Sequence, residues 1–319
     1  MTAPAAGTAS TATAIPAPTV EVANVSRWFG NVVAVNDISF TLAPGITGLL
    51  GPNGAGKSTL IHMLAGFLRP SRGDVRILGQ PAWRNPAIYR SIGFVPERES
   101  VYGFLTGFEF VRLSARLHRL PAADAAAERA IAAVDMGFAR DRATGGYSKG
   151  MKQRIKVAAS LVHDPPVLIL DEPFNGMDPR QRLHMMELLR RLAAEGRTIL
   201  VSSHILEEVE RLAETILVVV AGRLAAAGDF RAIRRLMTDR PEQFTLRSSD
   251  DRALAAALAA EPVVAGIEFL DGVLRVRTGD FAAFTRRLPA VAQERGVRLF
   301  EVMPADESLE SVFSYLVAR

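Results

Sequence analysis

Eight consecutive residues, Gly51-Pro52-Asn53-Gly54-Ala55-Gly56-Lys57-Ser58, fit the pattern G-x-x-x-x-G-K-[ST]. Glycines at this spacing let the backbone N–H groups of Asn53, Gly54, Ala55 and Gly56 curl around phosphate oxygens. Lys57 can then reach the β- and γ-phosphates, Ser58 can ligate Mg²⁺, and Thr59 can support the α-phosphate side. A second chemical element is Val167-Leu168-Ile169-Leu170-Asp171-Glu172, four apolar residues that end in two carboxylates. Asp171 is suited to hold Mg²⁺ through water, and Glu172 to act as general base for an attacking water. Both readings need the acids at the carboxyl end of a buried strand, where open α/β sheets bind their ligands.

The surrounding pattern supplies that scaffold. Thr19–Leu42 is β-branched and alternating and breaks near Gly30-Asn31, which predicts antiparallel strands. Ile46–Leu50 is a short apolar strand running into the glycine loop, and the apolar residues of Ser58–Leu68 recur at helical spacing. Residues 86–165 read as mostly helical, with an Ala-rich stretch at Ala122–Ala133. From Val167 onward strand, helix (Pro179–Glu195), strand (Thr198–Ser202), helix (Ile205–Leu212) and strand (Thr215–Val220) alternate, the mark of a parallel sheet covered by helices. Beyond about Phe230 the order is βαββαβ, ending in a helix at Leu309–Val317, with a hairpin across Asp271-Gly272. No catalytic constellation is visible there, so regulation or dimerisation is the expected role.

Composition narrows the chemistry. The 319 residues contain no cysteine, which excludes disulfides, thiol nucleophiles and thiolate zinc sites. The five histidines, His62, His118, His163, His184 and His204, lack close ligand spacing. A net charge of +4 is weak support for a nucleic-acid surface, and nucleic acid is not an expected partner. Residues 1–19 carry no charged side chain and read as a disordered tail rather than a signal peptide. No apolar run approaches the roughly 18–20 residues that span a bilayer. The expected location is therefore cytoplasmic, with any membrane connection made through a partner. Only four of the 38 basic residues are lysine, namely Lys57, Lys149, Lys152 and Lys156, and three of them cluster.

That cluster lies in Tyr147-Ser148-Lys149-Gly150-Met151-Lys152-Gln153-Arg154, about twenty residues before the acidic strand. Alone, Ser148 reads as a helix N-cap. Together with the glycine loop and the acidic pair, the segment resembles the signature usually written LSGGQ of ABC transporter ATP-binding subunits, over about Val20 to Phe230. The resemblance implies a P-loop NTPase of α/β class with ABC-type antiparallel β and helical subdomains; beyond it, the βαββαβ order resembles a small α+β, ferredoxin-like domain at 231–319. It implies ATP and Mg²⁺ as ligands, and a second copy of the chain in a head-to-tail dimer. Ser148 and Gly150 of one copy then touch the γ-phosphate held by the other. Phe29 takes the place of an aromatic that stacks on adenine. Asn175-Gly176-Met177-Asp178-Pro179 resembles the loop that lines the dimer interface, and His204 the histidine that contacts the γ-phosphate and Glu172.

Three positions depart from the family pattern. Glu97, after Ile92–Pro96, replaces a glutamine; a carboxylate can still accept from Mg²⁺-bound water, which keeps it a catalytic and metal-site candidate. Lys149 and Met151 replace a glycine and a glutamine. One nucleotide-binding domain without a membrane span resembles the ABC-2 or drug-resistance export subfamily, in which a separate permease supplies the membrane helices. The surface that grips it is expected near Glu97–Phe110, where Leu105, Phe108 and Phe110 read equally as anchors or as core. Two alternatives stand beside this reading: a soluble ABC ATPase acting on nucleic acid or ribosomes, and a non-hydrolysing regulatory module.

Overall fold

The computed structural model describes residues 19–304 except 99, 230–241 and 271–272. Strands β1 (Val20–Phe29) and β2 (Val32–Leu42) form the expected antiparallel pair. β4 (Arg72–Ile77) and β5 (Gln80–Pro81) extend the sheet in the order β2-β1-β4-β5.

A second sheet has six strands, ordered β10-β9-β3-β8-β7-β6. Its members are β3 (Gly45–Leu50), β6 (Ile92–Val95), β7 (Val167–Asp171), β8 (Thr198–Ser202), β9 (Thr215–Val220) and β10 (Arg223–Asp229). All neighbours run parallel except β10, which pairs antiparallel with β9. Successive side chains of a strand point to opposite faces, so a sheet buried on both sides must be apolar throughout. β7 shows this: Val167 and Ile169 pack with β1, β2 and the helix α1 (Lys57–Leu64), whereas Leu168 and Leu170 pack on the other side.

That other side is covered by α2 (Gly107–Leu117), α3 (Ala123–Ala133), α4 (Lys149–Leu161) and α5 (Pro179–Ala194). A capping box starts α2: the Thr106 backbone N–H donates to Glu109 Oε2 at 2.8 Å, and the Glu109 N–H donates to Thr106 Oγ1 at 3.1 Å. The helical stretch expected at 86–165 also contains β6, a member of the main sheet, because four residues are too few to declare a parallel strand without its partner. Phe110 belongs to the core, and Leu105 and Phe108 pack against it half-buried. A short helix, α6 (Leu206–Leu212), links β8 to β9.

The C-terminal elements are β11 (Glu242–Ser248), α7 (Asp251–Leu258), β12 (Val264–Leu270), β13 (Val273–Thr278), α8 (Phe281–Glu294) and β14 (Leu299–Pro304). Their strands are antiparallel, in the order β12-β13-β11-β14, and with the two helices they bury a separate core including Phe244, Leu258, Val276 and Phe284. Asp250 and Asp280 cap α7 and α8 by accepting from the backbones of Ala253 and Ala283. The tail at 1–18, the 271–272 turn and the final helix at Leu309–Val317 lie outside the described residues.

Candidate active site

Parallel pairing brings the carboxyl ends of β3, β8, β7 and β6 to one edge of the sheet. The loop 51–56, Ser203-His204, Asp171-Glu172 and Pro96-Glu97 all leave from that edge. The cavity there has a volume of about 280 Å³ and is lined by Asn53, Gly54, Gly56, Lys57, Ser58, Thr59, Glu97, Asp171 and Glu172, together with Ala34.

The loop closes tightly enough to need its glycines. Gly56 has φ +100° and caps α1; a Cβ there would run into the Ala34 carbonyl, and one on Gly51 into that of Val219. Ala55 is buried and lies outside the lining, its carbonyl accepting from the Gly222 N–H at 3.0 Å. Lys57 folds back over the loop, donating to the Gly51 carbonyl at 2.6 Å and the Pro52 carbonyl at 3.2 Å. Burial holds its ammonium below the usual lysine range, against the opposing pull of Glu172, Asp171 and Glu97.

The acidic pair is fixed by the neighbouring strand. β7 and β8 align Asp171 with Ser202. The Ser202 hydroxyl donates to Asp171 Oδ1 at 2.6 Å and accepts from the Glu172 N–H at 2.9 Å. Glu172 has φ +51°, a left-handed conformation uncommon for a side chain with a Cβ, so the chain turns sharply after the strand. Its carbonyl accepts from Gln153 Nε2 of α4 at 3.3 Å, and its Oε2 lies 2.8 Å from His204 Nδ1. Burial pushes the Glu172 carboxyl upward, opposed by the His204 bond, the His204 charge and Lys57. A carboxylate held this way is a candidate general base. Replacing Ser202 with alanine would leave a buried carboxylate oxygen and a buried N–H without this partner. We expect Ser202→Ala to lower folding stability by about 1–3 kcal/mol in thermal melts.

The remaining predicted residues stand outside this cavity. Ser148 caps α4 by accepting from the Met151 N–H at 3.2 Å, and Asp178 caps α5 by accepting from the Gln181 N–H at 2.8 Å. The starts of these two helices touch. A Cβ on Gly150 would strike the Gln181 side chain and crowd the Gly176 carbonyl at 3.1 Å, while one on Gly176 (φ +75°) would lie 2.6 Å from Lys149 Cβ. The Lys149 stem therefore rests on Gly176, and its residue is exposed. Phe29 is 47% exposed at the end of β1, with the Arg27 guanidinium 4.6 Å from its ring centre.

Sequence reasoning alone does not single out Ser202, Gln153 and Ala34 as parts of the site. Ser202 carries a usable signal, since a polar residue ending the strand beside Asp171 must face the same edge.

The glycine loop at a helix start, the acidic strand end and the sheet order define the class, a P-loop ATPase. The ABC transporter family model matches residues 35–175. The bacitracin transport ATP-binding protein BcrA of Enterococcus faecalis is 32% identical, over 93% of this chain and 96% of its own. The Nod factor export ATP-binding protein I of Rhizobium leguminosarum bv. viciae is 35% identical, over 94% and 95%. A solved ATP-binding subunit of an ABC transporter, 32% identical, superposes with a TM-score of 0.63 over 68% of this chain and 92% of that one. A dimeric cassette, MJ0796, bound to ADP and Pi shares the fold at 22% identity, with a TM-score of 0.62 over 66% and 98%. The chain belongs to the ATP-binding subunits of ABC transporters.

Proposed function

We propose that two copies of this chain bind Mg²⁺-ATP between them and hydrolyse it to power export through a separate permease. The observation that carries the reading is a divided site. Lys57, Asp171 and Glu172 share one cavity, but Ser148, Gly150 and Asp178 do not line it. These three sit at helix N-termini, where backbone N–H groups favour an anion, and a second copy can bring them to the phosphates. The dimeric cassette supports that arrangement.

Within each site, Phe29 stacks on adenine, and the N–H groups of Asn53, Gly54, Ala55 and Gly56 cradle the phosphates. Lys57 neutralises the β- and γ-oxygens, and Thr59 supports the α-phosphate side. Ser58, Asp171 and Glu97 offer the hard oxygen donors that Mg²⁺ prefers. Among the described residues no group of three or more His, Cys, Asp or Glu is placed to hold a metal unaided, which fits a cation bound partly by phosphates and water. Bound Mg²⁺ supplies charge neutralisation across the phosphates. Glu172 takes a proton from water as its oxygen bonds to the γ-phosphorus and the bond to the β–γ bridging oxygen breaks. His204 holds the carboxylate in the orientation for that transfer and contacts the γ-phosphate.

No helix among the described residues is long and apolar enough to cross a membrane. An apolar groove of about 320 Å³ beside α2, lined by Phe67, Tyr89, Phe94, Phe110 and Leu117, supports a permease contact. The bacitracin and Nod factor relatives favour export. The C-terminal unit, with its own core, fits a regulatory or dimerisation role. Co-expression with a polytopic membrane protein, should a neighbouring reading frame encode one, is expected to yield a detergent-stable complex with stimulated ATPase activity. Recovery of the chain with ribosomes or nucleic acid, and with no membrane protein, would overturn the reading.

A further inference from the structure

Lys156 lies on α4, eight residues after Ser148, and is 5% exposed. Its ammonium donates to the Pro96 carbonyl at 2.7 Å and the Arg98 carbonyl at 3.2 Å, so the two bonds bracket Glu97 in the chain. Glu97 follows the last strand of the main sheet and lines the phosphate cavity. A buried ammonium is costly to desolvate unless its donors are met, so this contact favours one placement of the 96–98 segment. A compact ammonium on a flexible stem can serve two carbonyls that are not coplanar, which a planar guanidinium does less readily.

We infer that Lys156 is a positioning residue, tying the helix that begins at the signature to the backbone on either side of Glu97. A shift of α4 then carries Glu97 toward or away from the phosphates, so that the half-site offered to the second copy and the site in the same copy move together. This rests on the reading of Glu97 as a partner of Mg²⁺-bound water. The tie itself rests on the bonds to the Pro96 and Arg98 carbonyls.

The test compares the full chain with Lys156→Met, Lys156→Arg, Glu97→Ala and the Lys156→Met/Glu97→Ala double variant. Lys156→Met should lower kcat about 10- to 100-fold, the scale of a misplaced catalytic group, with KM for ATP nearly unchanged and more Mg²⁺ needed for half-maximal rate. Lys156→Arg, which keeps the charge and donors, should recover part of the loss. The double variant should be no slower than Glu97→Ala alone. Amide exchange should quicken roughly tenfold in the peptide spanning 95–101 and little elsewhere. Multiplicative losses in the double variant, or unchanged exchange at 95–101, would overturn the inference. A Glu97→Ala chain with unaltered Mg²⁺ dependence would instead overturn the reading of Glu97, and the exchange result would still decide whether Lys156 holds the segment. If Lys156→Met does not fold, Lys156→Gln, which keeps a donor at similar length, is subjected to the same measurements.

Discussion

Glu172→Gln should bind ATP, form the dimer and fail to reopen it. The change keeps the shape of the side chain and an oxygen for the His204 contact seen at 2.8 Å, while removing the carboxylate proposed to accept a proton from water. Loss of a general base costs about 10²- to 10⁴-fold in rate, so turnover should approach the background of the assay. Size-exclusion chromatography with Mg²⁺-ATP should show a dimer that persists, whereas the parent chain returns to monomer as ATP is consumed. A variant that remains monomeric with ATP and still hydrolyses it would remove both the role of Glu172 and the shared-site geometry. The pH profile gives a further reading. Because burial raises the Glu172 pKa, the acid limb of activity should lie at higher pH than an ordinary carboxylate would give. Replacing His204 with alanine removes two influences that lower that pKa, so the limb should move to still higher pH.

Lys57→Met should abolish nucleotide binding with little change in the stability of the free protein. Two charge-assisted bonds to phosphate, at about 1.5–3 kcal/mol each, correspond to an affinity loss of about 10²- to 10⁴-fold. Without nucleotide, the loss of the bonds to Gly51 and Pro52 is offset by relief of a buried ammonium. Thermal melts should therefore start near the parent value and lose their upward shift with an ATP analogue in EDTA. A shift of the parent size in this variant would show that the phosphates are held elsewhere.

Where adjacent residues build a part of the site, the sequence is enough to read it. The glycine loop carries its own geometry, and four apolar residues ending in two acids can hardly be other than a buried strand opening at an edge. Ser202 is different, because its role comes from register with Asp171, thirty-one positions away. β4 and β10 are hard to read for another reason: their exposed residues hide the alternation of a half-buried strand. Lys156 stands out in the sequence by its rarity, but its bonds reach back some sixty residues and only the fold brings the partners together.

The scarcity of lysine has a practical side. Of the four lysines, Lys57 and Lys156 are buried, while Lys149 is exposed and Lys152 half-buried on the first turn of α4. Amine-reactive dyes, crosslinkers and sensor-chip coupling will therefore attack the lysines mainly at the signature. In the proposed dimer that is the face offered to the second copy, so immobilisation by that chemistry would report weak association for a reason unrelated to affinity.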